Sequence, residues 1–128
     1  MRIVIAIVLL AHGVAHLVGF VVPWRLATLP DVPYRSTILG GRIEVGDIGV
    51  KALGVLWLIA ALAFAAAGAE VLWHASSWRS HVIVAATASL ALCIAGWPDA
   101  RIGVAVNVAL IAMLALGARA GWLARLCQ

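Results

Sequence analysis

The sequence predicts an all-α integral membrane protein, built as an antiparallel up-down bundle of four helices. Hydrophobic residues make up 66% of its 128 residues and charged residues 11%, and the mean hydropathy is +1.13. Soluble domains are about half apolar and about a quarter charged, so a soluble fold of this length could not bury so much apolar surface. The apolar residues form four runs, each close to the roughly 20 residues that a spanning helix needs. We therefore expect one four-span domain over residues 1–128.

The first span is predicted at about residues 3–22, where Pro23 and Trp24 end the apolar run. Tryptophan is typical of the membrane interface. A signal peptide is the alternative, because Arg2 precedes the run. The run is longer than the apolar region of a signal peptide, and no A-x-A cleavage site follows it. Both observations favour a retained helix.

A polar connection, WRLATLPDVPYRSTILGG, follows at residues 24–41. Its two prolines and the Gly40-Gly41 pair argue against a continuous helix. A segment of this length and polarity is expected to fold back on the bundle as a cap.

The other spans are predicted at about residues 45–69, 80–97 and 102–118. Pro98 ends the third span, because proline cannot continue a helix. Arg119 ends the fourth span and begins a short tail, RAGWLARLCQ. Its tryptophan and arginines predict an amphipathic segment at the membrane interface.

Basic residues lie at the ends of the apolar runs, where they suit lipid headgroups and topology rather than nucleic acid. The side that holds the termini has four of them and the other side has five: Arg2, Arg79, Arg119 and Arg125, against Arg25, Arg35, Arg42, Lys51 and Arg101. This count does not choose a side, but we expect Arg42 and Lys51 to lie in the bundle rather than in a loop, which favours cytoplasmic termini. The protein is expected to be a multi-pass inner-membrane protein. Expected partners are the lipid bilayer and a homo-oligomer or larger membrane complex.

His12 and His16 lie inside the first span, four residues apart, and therefore share one helix face. Ionisable residues inside a membrane are costly and indicate function by default. The second span enters from the opposite side, and Glu44, Asp47 and Lys51 follow one face of its first turns. We expect Asp47 and Lys51 to reach the depth of His16, so that the histidines face them in an enclosed polar pocket.

Two further side chains complete the predicted pocket. Asn107 lies about a turn and a half into the fourth span, and Trp57 inside the second span can form a wall for a ring. The candidate ligand-binding residues are thus His12, His16, Glu44, Asp47, Lys51, Trp57 and Asn107. The alternative is structural. The histidines would then bond between helices, Asp47 and Lys51 would form a local ion pair, and Glu44 would favour the positive end of the helix dipole.

The segments AHGVAHLVGF and GGRIEVGDIGVKALGVLWLIAAL resemble the DoxX-like group of small bacterial four-helix membrane proteins. The family pattern is an H-G motif with a following G-F, a loop, then G-x-x-E-x-x-G and a Gly-rich apolar helix. The resemblance covers about residues 3–118 and marks His12, Gly13 and Glu44. The family takes its name from a subunit of a terminal quinol oxidase, so the resemblance implies a quinone-linked role.

Four functions are compatible with the sequence. The first is a redox accessory whose pocket binds a quinone headgroup. The second is a metal site made of His12, His16 and a carboxylate, although Lys51 disfavours it by adding positive charge, and we assign no metal ligands. The third is a component for proton or solute transport. The fourth is a structural subunit of a larger complex. Two cysteines without a C-x-x-C motif indicate neither a disulfide framework nor a redox dithiol.

Overall fold

The computed structural model describes residues 1–119 and contains four helical segments long and apolar enough to cross a membrane. The segments are α1 (Arg2–His16) with α2 (Val18–Val21), then α3 (Gly46–Leu72), α4 (Trp78–Ala95) and α5 (Arg101–Arg119). The protein is thus an all-α bundle of four apolar helices, as the sequence predicts. The predicted spans differ from these bounds by at most three residues at either end. The tail predicted after Arg119 lies outside the described residues.

Consecutive spans pack against each other: α1 and α2 on α3, α3 on α4, and α4 on α5. This arrangement is antiparallel, and the start of α1 lies at the same end of the bundle as the end of α5. Near that end, a buried apolar core includes Leu9, Phe64, Val82 and Leu114. Large apolar side chains such as Val84, 67% exposed, cover the outer faces. An apolar exterior suits contact with lipid chains, which do not penalise it as water does.

Two glycines set the register between the first span and α3. A Cβ atom at Gly13 would lie 3.0 Å from the carbonyl oxygen of Ala61, and one at Gly19 would lie 2.3 Å from the Trp57 ring. Without a side chain at either position, the two helices approach closely and gain dispersion contacts. The residues around Gly13 therefore meet those around Ala61, and Gly19 meets Trp57.

The connection between α2 and α3 folds back over the bundle, which confirms the predicted cap. It contains a short hairpin in which β1 (Thr37–Ile38) pairs antiparallel to β2 (Ile43–Glu44). This hairpin was not predicted from the sequence. Gly40 and Gly41, at φ +66° and +87°, take the left-handed backbone of the hairpin turn that glycine adopts readily. The amide of Leu39 donates to the Ala95 carbonyl at 2.8 Å, and that of Gly40 donates to the Trp97 carbonyl at 2.7 Å. These bonds tie the hairpin to the turn between α4 and α5.

Candidate functional site

Four buried polar side chains meet at one depth of the bundle. His12 and His16 come from α1, Ser89 from α4 and Asn107 from α5. Their exposed fractions are 8%, 2%, 0% and 0%, respectively. Buried polar groups are costly unless they are hydrogen-bonded. No side-chain nitrogen or oxygen that is itself fully buried within residues 1–119 lacks a partner.

Two backbone carbonyls determine the direction of the hydrogen bonds in this cluster. His16 Nδ1 lies 2.7 Å from the His12 carbonyl oxygen. A carbonyl accepts only, so Nδ1 carries the proton and donates. In neutral His16 the other nitrogen, Nε2, must then accept. Its partner is the Ser89 hydroxyl at 2.5 Å, which donates to it.

The second carbonyl orients Asn107. Its Nδ2 donates to the Gly103 carbonyl at 2.9 Å and to Ser89 Oγ at 2.7 Å. Asn107 Oδ1 consequently points to His12 Nε2, 3.2 Å away, and accepts its proton. His12 is thereby the tautomer protonated at Nε2. Every N–H and O–H donor of the four side chains is used with both imidazoles neutral, which avoids the cost of a buried charge.

Aromatic rings of α3 lie against both histidines. The ring centroid of Phe64 lies 4.7 Å from that of His12, in an edge-to-face arrangement. The Trp57 centroid lies 5.1 Å from that of His16. The close approach at Gly13 and Gly19 brings both rings to the histidines.

A cavity of about 430 Å³ lies between this cluster and the capping connection. Its floor includes His12, His16, Trp57 and Cys93, and its other lining residues are mostly apolar or small. Small-molecule sites are typically apolar cavities of about this size with a few placed polar groups. The cavity therefore has the dimensions and chemistry of a site for a small amphipathic molecule.

The connection forms the roof of the cavity. Tyr34 and Arg35 line it from this side, and Asp99 lines it from the turn before α5. Arg35 Nε lies 3.9 Å from Asp99 Oδ2. This ion pair is a second link, beside the hairpin bonds, between the connection and the α4–α5 turn.

The cavity also reaches the outer surface of the bundle between its first and last spans. Ala15 on α1 and Ile102 on α5 both line it, and both are exposed. Both positions belong to apolar segments long enough to span a membrane, and we call this part of the lining the seam between α1 and α5.

The predicted contact of the histidines with Asp47 and Lys51 is wrong. Asp47 instead bonds to Lys51 Nζ at 2.8 Å, Arg25 Nη2 at 3.0 Å and the Tyr34 hydroxyl at 2.6 Å. These groups lie at the end of the bundle that the capping connection covers, and Asp47 is 44% exposed. Glu44 is exposed as well, and its carboxylate accepts from the Gly46 amide at 2.9 Å.

The physical reason is the register between the first span and α3. Trp57 lies beside Gly19 and His16, and Asp47 precedes Trp57 by ten residues on one helix. At 1.5 Å per residue, Asp47 is about 15 Å farther along α3. The structure thus brings together His12, His16, Trp57 and Asn107 and leaves out Glu44, Asp47 and Lys51.

Four contributors are absent from the predicted site: Ser89, Phe64 and the roof residues Tyr34 and Arg35. Ser89 had a detectable signal, because it is a small polar residue four positions before Cys93 and thus on the same face of an apolar span. Phe64 had no such signal, since an aromatic residue in an apolar helix is ordinary.

The donors required for the alternative metal site do not assemble. No group of three or more histidine, cysteine, aspartate or glutamate side chains within residues 1–119 could hold a metal ion. His12 and His16 have no carboxylate beside them. In the hydrogen-bonded network, His12 uses Nε2 and His16 uses both ring nitrogens.

Comparisons of this chain with models of protein families, with curated proteins and with solved structures find no match.

Proposed function

We propose that this protein binds the ring headgroup of a membrane-dissolved quinone or quinol, as an accessory of a quinone-linked redox system in the bacterial inner membrane. The observation that carries the proposal is the cavity of about 430 Å³, which has aromatic and imidazole groups on its floor and is lined at the seam by Ala15 and Ile102, both exposed on apolar helices. A quinone combines a flat polar ring with an apolar tail. The ring suits the floor beside Trp57 and His16, and the tail suits the seam.

The resemblance of the first two spans to DoxX-like proteins supports the same function, because it involves the helix that carries His12. The proposed orientation has both termini in the cytoplasm, which puts the cavity in the outer half of the membrane. There it meets the quinone pool by lateral diffusion, without a path through water.

The hydrogen bonds of His12 and His16 also join α1 to α4 and α5, and this favours the structural function as the second candidate. Interhelical bonds of this kind stabilise membrane bundles without any ligand. The two functions differ in one respect: only the first requires the cavity to be filled by a ligand.

A binding experiment in detergent micelles separates these candidates. The probes are decyl-benzoquinone, its reduced form, and decylcyclohexane, which has the same tail without a polar ring. We expect at least one benzoquinone form to bind by calorimetry and to raise the melting temperature, since a ligand that binds the folded state stabilises it. Decylcyclohexane should do neither.

The matched variants are Ala15→Phe and Val14→Phe. Ala15 lines the seam of the cavity, whereas the adjacent Val14 is 65% exposed and does not line it. Ala15→Phe should weaken binding at least about tenfold, which is about 1.4 kcal/mol, and Val14→Phe should leave it unchanged. Absence of binding by both benzoquinone forms, or equal binding in the two variants, would overturn the proposal.

A further inference from the structure

The pairing of hydrogen-bond donors and acceptors on the cavity floor determines which polar groups of a ligand can bind there. The donors in the buried cluster are already used. His12 Nε2 donates to Asn107, His16 Nδ1 to the His12 carbonyl, and Asn107 Nδ2 to Ser89 and Gly103. The Ser89 hydroxyl donates to His16 Nε2. The cluster therefore has no N–H or O–H left for a ligand.

One strong acceptor is left over. With its proton on Nε2, neutral His12 has a free lone pair on Nδ1, and Nδ1 has no partner among the described residues. Every fully buried side-chain nitrogen and oxygen of residues 1–119 is paired, so Nδ1 retains access to open space. His12 is 8% exposed and lines the cavity, and we therefore assign the open space beside Nδ1 to this cavity.

We infer, on the basis of the proposed function, that the cavity binds the reduced, hydroxyl-bearing form of its ring ligand in preference to the oxidised carbonyl form, with a phenolic O–H donating to His12 Nδ1. A hydroxyl group can donate to Nδ1 and still accept from another group. A carbonyl presents lone pairs only. It would displace water from Nδ1 and leave that acceptor unpaired in an apolar cavity, which is unfavourable.

Two donors near the floor do not remove this preference. Trp57 lines the cavity, and its indole N–H has no hydrogen-bond partner among the described residues; the Cys93 thiol is a weak donor. A hydroxyl and a carbonyl can both accept from these groups. The two ligand forms therefore differ mainly at Nδ1, where only the hydroxyl makes a bond.

The inference can be tested with a redox-inert pair of probes, 4-decylphenol and its methyl ether, 4-decylanisole. They share the ring and the tail, and only the phenol has a donor. Calorimetry in micelles should show the phenol binding about tenfold more tightly, the typical effect of leaving one buried hydrogen-bonding group unpaired. Equal affinities would overturn the inference and leave the proposed function intact. Failure of both probes, and of both benzoquinone forms, would instead remove the proposed function.

Two variants assign the preference to His12. His12→Gln keeps a side-chain N–H for Asn107 but displaces the acceptor, so the ratio of the two affinities should fall to about one. Trp57→Phe is the control. It should weaken both probes and leave their ratio unchanged. A ratio that persists in His12→Gln would contradict the assignment.

A spectroscopic measurement on the wild-type protein avoids any dependence on how well His12→Gln folds. Nitrogen-15 NMR of labelled histidine should show His12 protonated at Nε2. Adding the phenol should shift its Nδ1 resonance, and adding the ether should not. A proton found on Nδ1 of the free protein would overturn the inference.

Discussion

Asn107 joins three spans through one side chain. Its amide contacts His12 on α1, Ser89 on α4 and the Gly103 carbonyl within α5. Because the amide cannot rotate without losing the bond to Gly103, it also determines the tautomer of His12. At the scale of single residues, this side chain therefore links the stability of the bundle to the chemistry of the cavity.

We expect Asn107→Leu to lower the free energy of unfolding by about 1 to 3 kcal/mol, because it leaves the His12 N–H without its acceptor in an apolar interior. Unfolding in mixed micelles, followed by circular dichroism, measures the change. Val108→Leu is the control, since Val108 is 51% exposed on the same helix, and it should change stability by less than about 0.5 kcal/mol. Equal stabilities of the two variants would contradict the importance of the network.

The first span and α3 are positioned by glycine rather than by charge. At Gly13 the nearest atom to an added Cβ is a backbone oxygen, that of Ala61 at 3.0 Å. A backbone atom cannot move aside as the end of a flexible side chain can. The register of these two helices, and with it the distance between Asp47 and the histidines, follows from this contact.

Gly13→Val should separate α1 from α3 and destabilise the protein by about 1 to 3 kcal/mol, the usual cost of overpacking. It should also reduce binding of 4-decylphenol, because Phe64 and Trp57 would move away from the histidines. Thermal unfolding in detergent and calorimetry measure the two effects. Ala11→Val, at an exposed position of the same helix, should cost less than about 0.7 kcal/mol. A Gly13→Val protein as stable as Ala11→Val would refute the close approach.

The charged cluster around Asp47 belongs to the connection and the start of α3, and its ion pairs are largely exposed. Arg25 is 62% exposed, Lys51 38% and Asp47 44%. The guanidinium of Arg25 also lies over the Tyr34 ring, 4.5 Å from its centroid. These ion pairs lie on the exposed surface of the capping connection, whereas the cavity lies between that connection and the buried histidines.

Asp47→Asn should therefore lower stability by less than about 1 kcal/mol, as is typical for exposed ion pairs. Its affinity for 4-decylphenol should match that of the wild type. Calorimetry and thermal unfolding at low and moderate salt provide both values. A large loss of binding would restore Asp47 to the site and contradict its position in the structure.

At the scale of the whole molecule, the bundle has a packed end and a hollow end. Leu9, Phe64, Val82 and Leu114 belong to the packed core, whereas Ala95, Gly96, Ala100 and Gly103 line the cavity. Small residues near the turn between α4 and α5 leave space that the capping connection covers without filling. A ligand at this end would contact both the seam between α1 and α5 and the polar side chains of the capping connection.

The proposed orientation can be tested by labelling cysteines in whole cells. With Cys93 and Cys127 replaced by alanine, Asp31→Cys lies in the capping connection and Ser76→Cys lies at the opposite end, both exposed. A membrane-impermeant maleimide should label Asp31→Cys in intact cells and Ser76→Cys only after permeabilisation. The reverse pattern would show that the termini lie outside the cytoplasm.

The sequence was sufficient for the four apolar helices, their approximate ends, the cap and the polar character of the first span. Each follows from local properties: the length of an apolar run, a proline that breaks a helix, or an imidazole where hydrocarbon is expected. Trp57 and Asn107 were also placed correctly beside the histidines, because helical rise and the alternation of up and down spans locate them in depth.

The groups that the histidines contact depend on how the helices pack against each other. A helix can slide along its neighbour with little change in its own apolar pattern, so the sequence left the register of α1 on α3 open. The glycine contacts at Gly13 and Gly19 determined that register and placed Trp57 beside His16, whereas Asp47 lies about 15 Å from Trp57 along α3. Ser89 and Asn107 took the place of the predicted ion pair, because neutral partners satisfy buried imidazoles without the cost of charge in an apolar interior.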